Sequence, residues 1–139
     1  VIVEVMLFAL GGLLLRRLGI AGLVLLAVAG GLVRWLVLGL YTDLPVLVAV
    51  QALHAFTFAA THLAAISYIG ARVPDRLGST AQSLYDTLAM GIIFAIAMWL
   101  SGVLFEQIGG RSFWVMAGLS AVAGLLLIYN RKALPRFGD

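Results

Sequence analysis

The chain has 139 residues, of which 63% are hydrophobic and only 11% are charged, and its mean hydropathy is +1.13. A soluble domain has about a quarter charged residues, and a soluble chain of this size could not cover so much apolar surface. The composition therefore excludes a soluble globular protein and predicts an integral membrane protein.

Five apolar runs are long enough, or nearly so, to cross the hydrocarbon layer as helices, which takes about 20 residues. Lipid offers no partner to an open strand edge, and these runs lack the alternation of a membrane barrel, so we expect all five to be helical. The predicted spans are residues 1–15, 20–40, 45–70, 81–104 and 113–129. The first run is short and has no basic region before it, so we expect a truncated helix of a longer protein rather than a signal peptide.

The gaps between the runs contain residues that favour helix starts. Asp43 with Pro45 predicts the start of the third helix. Ser79 with Gln82 predicts a capping box at the start of the fourth helix, and Ser112 predicts a cap on the fifth. Because the connections are short, neighbouring helices should be antiparallel.

The basic residues predict the orientation in the membrane. One side holds seven basic residues and the other holds Arg111 alone, a strong positive-inside bias. We therefore expect the C-terminal tail, residues 130–139, to be cytoplasmic. The basic residues on the predicted cytoplasmic side are Arg16, Arg17, Arg72, Arg76, Arg131, Lys132 and Arg136.

Ionisable residues inside the predicted spans are candidate functional residues, because a charge at the bilayer centre costs about 2.5–3.5 kcal/mol on insertion scales. Glu4 and His54 are predicted to lie near the midplane. His62 and Asp86 share a depth of about 12 Å from the cytoplasmic ends of consecutive helices. Arg34 lies near the outer end of the second span, where it could face substrate, oppose Glu4 or reach toward the interface.

A polar and aromatic stripe occupies one face of the third helix, within an arc of about 100°. Its residues are Gln51, His54, Phe58, Thr61 and His62. A helix surrounded by lipid has no use for such a stripe, so the first, third and fourth helices are predicted to line a cavity and the second and fifth to support them. The candidate site residues are Glu4, Arg34, Gln51, His54, Thr61, His62, Gln82, Tyr85 and Asp86.

Structural roles remain open for several of these residues. His62 could hydrogen-bond a neighbouring helix, for instance by pairing with Asp86, and Gln82 could act mainly as a cap. We expect the small glycines to allow close helix packing rather than to line a pathway. These glycines are Gly11, Gly12, Gly30, Gly31 and Gly91.

Residues 12–19 resemble the cytoplasmic loop signature of the major facilitator superfamily, in which Gly, an acidic residue, Arg and Gly recur. Gly12, Arg17 and Gly19 match this pattern, whereas Arg16 replaces the acidic residue and Ile20-Ala21 the basic pair. The resemblance extends along essentially the whole chain. It implies helices eight to twelve of a twelve-helix carrier, an all-α membrane fold.

Within the superfamily, residues 51–58 followed by His62, and residues 81–85, resemble the 3-phenylpropionate permease group, as do Arg34-Trp35 and residues 102–106. The likeness to lactose permease and to the nucleoside–proton symporters is more distant. Arg34 and His54 match the arginine and histidine of the lactose permease coupling network. Gln51 and Thr57 replace its lysine and glutamate, and Glu4 lies about three residues after the position of its eighth-helix glutamate.

The resemblance implies a proton-coupled symporter of a small organic solute, such as the aromatic carboxylate 3-phenylpropionate, working by alternating access in a bacterial cytoplasmic membrane. Its partners would be substrate, protons, the lipid bilayer and an N-terminal half, with no nucleic acid, cofactor or metal. The alternatives are a sugar or nucleoside symporter, or a structural membrane subunit. A channel lacks support because no filter motif is present. An enzyme is not expected, since His54 and His62 lie eight residues apart and form no metal-ligand motif.

Overall fold

The computed structural model describes residues 2–130 and Leu134, and all regular elements in this part of the chain are helices. π-Helices run from Phe56 to Ala60 and from Asp86 to Ile93, and 3₁₀ turns cover Asp75–Leu77 and Gly109–Arg111. Except for Asn130 and Leu134, the predicted cytoplasmic tail lies outside the described residues. The α-helices are α1 (Ile2–Ala9), α2 (Gly11–Leu40), α3 (Leu44–Gln51), α4 (Thr61–Arg72), α5 (Gly78–Tyr85), α6 (Phe94–Ile108) and α7 (Ser112–Asn130).

Two glycines with positive φ angles interrupt the helices. Gly19, inside α2, has φ 66° and ψ −178°, and Gly109, after α6, has φ 56° and ψ −137°. A side chain is strongly disfavoured in this part of conformational space, so glycine is the residue that lets the chain break a helix sharply there. Gly19 is the last residue of the loop signature noted in the sequence, and it divides α2 between the first two predicted spans.

The contacts between helices show that the chain reverses direction at these breaks and also near residues 41–43 and 73–74. We call the resulting pieces segments 1 (2–18), 2 (20–40), 3 (44–72), 4 (75–108) and 5 (112–130). Segment 1 runs parallel to segment 3, and segment 2 runs antiparallel to both segment 3 and segment 5. The contacts that fix these directions are Glu4–His54, Phe8–His62, Arg34–Gln51, Gly30–Phe56, Gly31–Ser120 and Gly39–Trp114.

Three helical stretches are long and apolar enough to cross a membrane: Gly11–Leu40, Leu44–Arg72 and Asp75–Asn130. The first contains the break at Gly19 and the last contains the break at Gly109. The all-helical membrane architecture is therefore confirmed. The division into five spans remains a prediction, although the segment ends lie near the predicted span boundaries.

The packed core lies where segments 1, 2 and 3 meet. In lipid, helices are held together by van der Waals packing rather than by exclusion of water, and this packing is best where the backbones approach closely. Small side chains of segment 3 allow that close approach. Ala59 and Ala60 are fully buried there, in the same cluster as Leu23 of segment 2. The buried residues of this core are Leu7, Leu15, Ile20, Leu23, Ala27, Ala55, Ala59, Ala60 and Ala64.

The predicted packing role of the glycines holds for some and not for others. A Cβ atom on Gly30 would lie 2.8 Å from the Cβ of Phe56, and one on Gly31 would lie 2.9 Å from the Oγ of Ser120. Gly11 similarly packs against Leu63. For Gly12 the prediction was wrong, because an added Cβ would meet nothing within 4 Å, and Gly91 would meet only a backbone oxygen at 3.8 Å.

Segment 4 differs from the others because none of its residues is buried. Its apolar side chains include Trp99, which is 68% exposed. Such a surface matches lipid or further transmembrane helices rather than water. The helix that contains Gln82 begins at Gly78, so Ser79 lies inside it and the predicted capping box was wrong. Asp43 does occupy the N-cap position of α3, although its side chain makes no capping bond.

The five-segment arrangement can be tested by labelling single cysteines, since this chain contains none of its own. With any other cysteines of the whole protein replaced, we expect Thr42→Cys and Gly110→Cys to react with a membrane-impermeant maleimide in intact cells. Arg17→Cys and Arg76→Cys should react only after the cells are permeabilised. Labelling of positions 17 and 42 from the same side would contradict a reversal across the membrane between them.

The close approach at Gly30 predicts a large loss of stability on substitution. Gly30→Leu must displace Phe56 in a packed interface, and overpacking of this kind costs about 1–3 kcal/mol. We expect a lower apparent melting temperature in detergent for this variant. Gly12→Leu is the matched control, because its side chain enters open space, and equal losses in both variants would contradict the packing role.

Candidate functional site

Glu4 and His54 face each other across segments 1 and 3. The Oε1 atom of Glu4 lies 3.6 Å from the Nε2 atom of His54. The side chains are 23% and 44% exposed, respectively, so neither is enclosed in the core. A protonated imidazole forms an ion pair with the carboxylate at this separation, whereas a neutral one is attracted only weakly. The carboxylate and the imidazole can therefore share one proton.

Arg34 links segment 2 to segment 3 close to this pair. Its Nη2 atom donates a hydrogen bond of 3.2 Å to the Oε1 atom of Gln51. The guanidinium carbon lies 4.4 Å from the centre of the Trp35 ring, a cation–π contact. The Nε atom is buried with no acceptor among the described residues. Arg34 is thus held in place and still has N–H groups that could bind a carboxylate.

Three nearly parallel rings form a row along segment 3, which we call the ring row: His54, Phe58 and His62. The ring centres of His54 and Phe58 lie 5.8 Å apart with an angle of 12° between planes, and those of Phe58 and His62 lie 6.1 Å apart at 13°. The stripe predicted from the sequence is therefore a continuous row in the structure. Phe58 was noted in that stripe but was not assigned a role.

The π-helix at Phe56–Ala60 lies within the ring row. Residues four apart drift by about 40° around an ordinary α-helix, since each residue turns about 100°. A π turn takes up one residue more and so offsets this drift, which keeps successive rings on one face. We find no sequence signal that predicts either π-helix, and π-helical turns are frequent at functional sites.

Segments 1 and 4 each contact the end of the ring row formed by His62, which we call its inner end. His62 contacts Phe8 edge-on, with ring centres 6.2 Å apart, and Tyr85 at 5.8 Å with a tilt of 43°. Among the described residues, no hydrogen bond or ion pair joins His62 to Asp86, so the sequence-based pairing of these two residues was wrong. In the described part of the chain, Tyr85 is the residue of segment 4 whose ring contacts the ring row.

Thr61 and Tyr85 help to line an apolar cavity of about 370 Å³ between segments 2, 3 and 4. The hydroxyl of Thr61 donates a bond of 2.8 Å to the backbone oxygen of Thr57, so it is already used within its own helix. Tyr85 connects the ring row to this cavity, because its ring contacts His62 and also lines the cavity. Its other lining residues are Ile20, Val24, Ala64, Ala65, Tyr68, Ile69 and Leu134.

Gln82 and Asp86 lie on the exposed surface of segment 4. Asp86 is close enough to Tyr85 to act on it electrostatically, but among the described residues no hydrogen bond or ion pair joins Gln82 or Asp86 to the candidate residues of segments 1, 2 and 3. A separate cavity of about 540 Å³ lies between segments 2, 4 and 5, with Trp35, Glu106 and Phe113 among its lining residues. In the part of the chain that the structure describes, no three His, Asp or Glu residues come together as a metal site. The candidate site therefore consists of Arg34–Gln51, Glu4–His54, the ring row and Tyr85.

The profile of the MFS_1 like family matches residues 1–116, a range that contains all nine predicted site residues. The chain belongs to the MFS_1 like family. A relative from Escherichia coli (strain K12), described as a probable 3-phenylpropionic acid transporter, is 41% identical over 117 residues. That match covers 84% of this chain and 31% of the relative, so the chain spans about a third of the relative's length. No solved structure matches the chain.

Membership of the MFS_1 like family confirms three predictions made from the sequence. The resemblance to the major facilitator superfamily is correct, and the chain is part of a multi-pass membrane protein of a transporter family. The relative is described as a probable transporter, and the expectation that the chain is not an enzyme is also confirmed.

The contact between Glu4 and His54 can be tested with a double-mutant cycle. Glu4→Gln and His54→Asn should show a coupling energy of about 0.5–1 kcal/mol in the free energy of unfolding, a modest value because the pair is partly exposed.

The readout for this cycle is unfolding in mixed micelles. Glu4→Gln with His62→Asn is the control pair, and its effects should add, because His62 lies eight residues beyond His54 on segment 3, a rise of about 12 Å. Additivity in both cycles would rule out the ion pair.

Proposed function

We propose that the protein to which this chain belongs is a proton-coupled symporter of a small aromatic carboxylate such as 3-phenylpropionate. The observation that carries the proposal is the Glu4–His54 pair beside the Arg34–Gln51 bond. Gln51 and His54 are three residues apart, a rise of about 4.5 Å. A fixed cation and a proton-binding pair therefore lie within reach of one small anion.

Each polar group has a distinct proposed role. Arg34 binds the substrate carboxylate, because a guanidinium forms charge-assisted hydrogen bonds with planar anions. Glu4 carries the coupling proton, because its carboxylate contacts the imidazole of His54, a group that can exchange protons with it. His54 takes part in both proton transfer and substrate binding. It contacts Glu4, and its imidazole can also hydrogen-bond the substrate.

The proposed route runs along segment 3 from Arg34 to the cavity beside Tyr85. Substrate enters near Arg34 and Gln51, passes the ring row, and leaves through the apolar cavity lined by Thr61 and Tyr85. We propose that a companion half of the transporter faces this route and rocks against it, so that the site opens to each side in turn. The proposed orientation is the one predicted from the basic residues, with the C-terminus on the cytoplasmic side.

The relative's description supports the choice of substrate class, since a 41% identical protein is described as a probable 3-phenylpropionic acid transporter. The structure adds a physical reason. The route is cationic at one end and aromatic and apolar at the other, as an aromatic carboxylate requires. A sugar would need many hydrogen-bonding groups, and the described part of the inner cavity is mostly apolar.

Uptake of radiolabelled 3-phenylpropionate by cells expressing the whole protein tests the proposal. We expect accumulation above that of cells with the empty vector, and its loss when a protonophore is added. Glu4→Gln should lower accumulation at least about tenfold, the effect of losing roughly 1.4 kcal/mol of coupling. It should leave exchange of internal for external substrate intact, because exchange needs no net proton movement.

Glu106→Gln is the matched control, since it removes a carboxylate from the separate cavity between segments 2, 4 and 5. Wild-type accumulation is expected in this variant. Absence of uptake by the unmodified protein would refute the proposed substrate, and uptake that survives the protonophore would refute proton coupling.

A further inference from the structure

We propose that Phe58 is the specificity residue for the aromatic part of the substrate, and that it acts as a flat platform on which the substrate's ring stacks. This inference rests on the proposed function and extends it to the residue that distinguishes an aromatic acid from an aliphatic acid of the same shape.

The position of Phe58 differs from that of the other phenylalanine in the same π-helix. Phe56 is partly buried and packs against Gly30 and the core between segments 1, 2 and 3. Phe58 lies in the ring row and is 39% exposed. A large apolar ring held parallel to two imidazoles, and not enclosed in the core, offers surface to a ligand.

The spacing along segment 3 matches the length of a phenylpropionate. Four residues separate His54 from Phe58, a rise of about 6 Å. In 3-phenylpropionate, two methylene carbons separate the ring from the carboxyl group. When Arg34 and His54 hold the carboxylate, the ring therefore reaches Phe58. In benzoate the carboxyl group is attached directly to the ring, so benzoate cannot make both contacts.

The surroundings of Phe58 favour an aromatic group over a polar one. His62 lies beside it on the inner side, and Phe8 and Tyr85 both contact His62. Beyond these rings the apolar cavity begins. A substrate whose ring lies over Phe58 would thus direct its carboxylate toward the cationic end of the route. The far edge of its ring would point toward the apolar end.

The test compares two acids that differ in their rings, 3-phenylpropionate and 3-cyclohexylpropionate. Both have the same carboxylate and spacer, but only the first can stack as an aromatic ring. We expect the whole wild-type protein to take up the phenyl compound with the lower KM. Phe58→Leu should reduce this preference by about threefold to tenfold, the range that an aromatic pair contributes, and Phe58→Tyr should retain it.

Benzoate supplies a second readout, as a competitor of 3-phenylpropionate uptake. We expect it to compete weakly in the wild type, and Phe58→Leu should weaken competition by benzoate less than competition by unlabelled 3-phenylpropionate. Phe94→Leu is the matched control, because Phe94 is exposed on segment 4 and no ring contact is seen for it among the described residues. It should keep the wild-type preference.

The remaining outcomes distinguish failure of the Phe58 inference from failure of the proposed function. A wild-type preference that is unchanged in Phe58→Leu would overturn the inference while leaving the proposed transport standing. If the leucine variant does not reach the membrane, Phe58→Met serves in its place, with the same ratio as readout. No uptake of either acid by the wild type would overturn the proposed function and this inference with it.

Discussion

The constraint on which this structure depends is that hydrocarbon offers no hydrogen-bond partner to a peptide group. Each backbone group must therefore find its partner within its own helix, and the chain can reverse only where the helices end. Two of these reversals use glycine with positive φ, at Gly19 and Gly109, because only glycine tolerates such a sharp break easily. The helical segments and their alternating directions follow from this constraint.

Within this frame, small residues determine how closely the segments approach. Ala59 and Ala60 on segment 3 and Gly30 on segment 2 remove side chains from the interfaces. Because the helix backbones lie close together at these small residues, the larger side chains beside them are held in fixed positions. Glu4 consequently reaches His54 from segment 1, and Arg34 reaches Gln51 from segment 2. The tight packing and the polar site are thus two results of the same interfaces.

The polar groups and the aromatic rings follow one another in a fixed order along segment 3, and the proposed function rests on this order. A guanidinium and an amide lie at one end, a carboxylate–imidazole pair comes next, and aromatic rings and an apolar cavity follow. The π-helix at Phe56–Ala60 keeps the ring row on one face of segment 3.

The sequence by itself determined that the chain is a helical membrane protein, and it predicted the boundaries of the spans and the candidate residues. It could do so because hydropathy and intramembrane charge are properties of single positions along a helix. Only the tertiary structure decided which residues meet: His54 with Glu4, His62 with Tyr85, and Arg34 with Gln51. The two π-helices and the open space around Gly12 were also invisible in the sequence. Pairing depends on the rotation of each helix about its axis and on its closeness to its neighbours, and both are fixed by packing among all the segments at once.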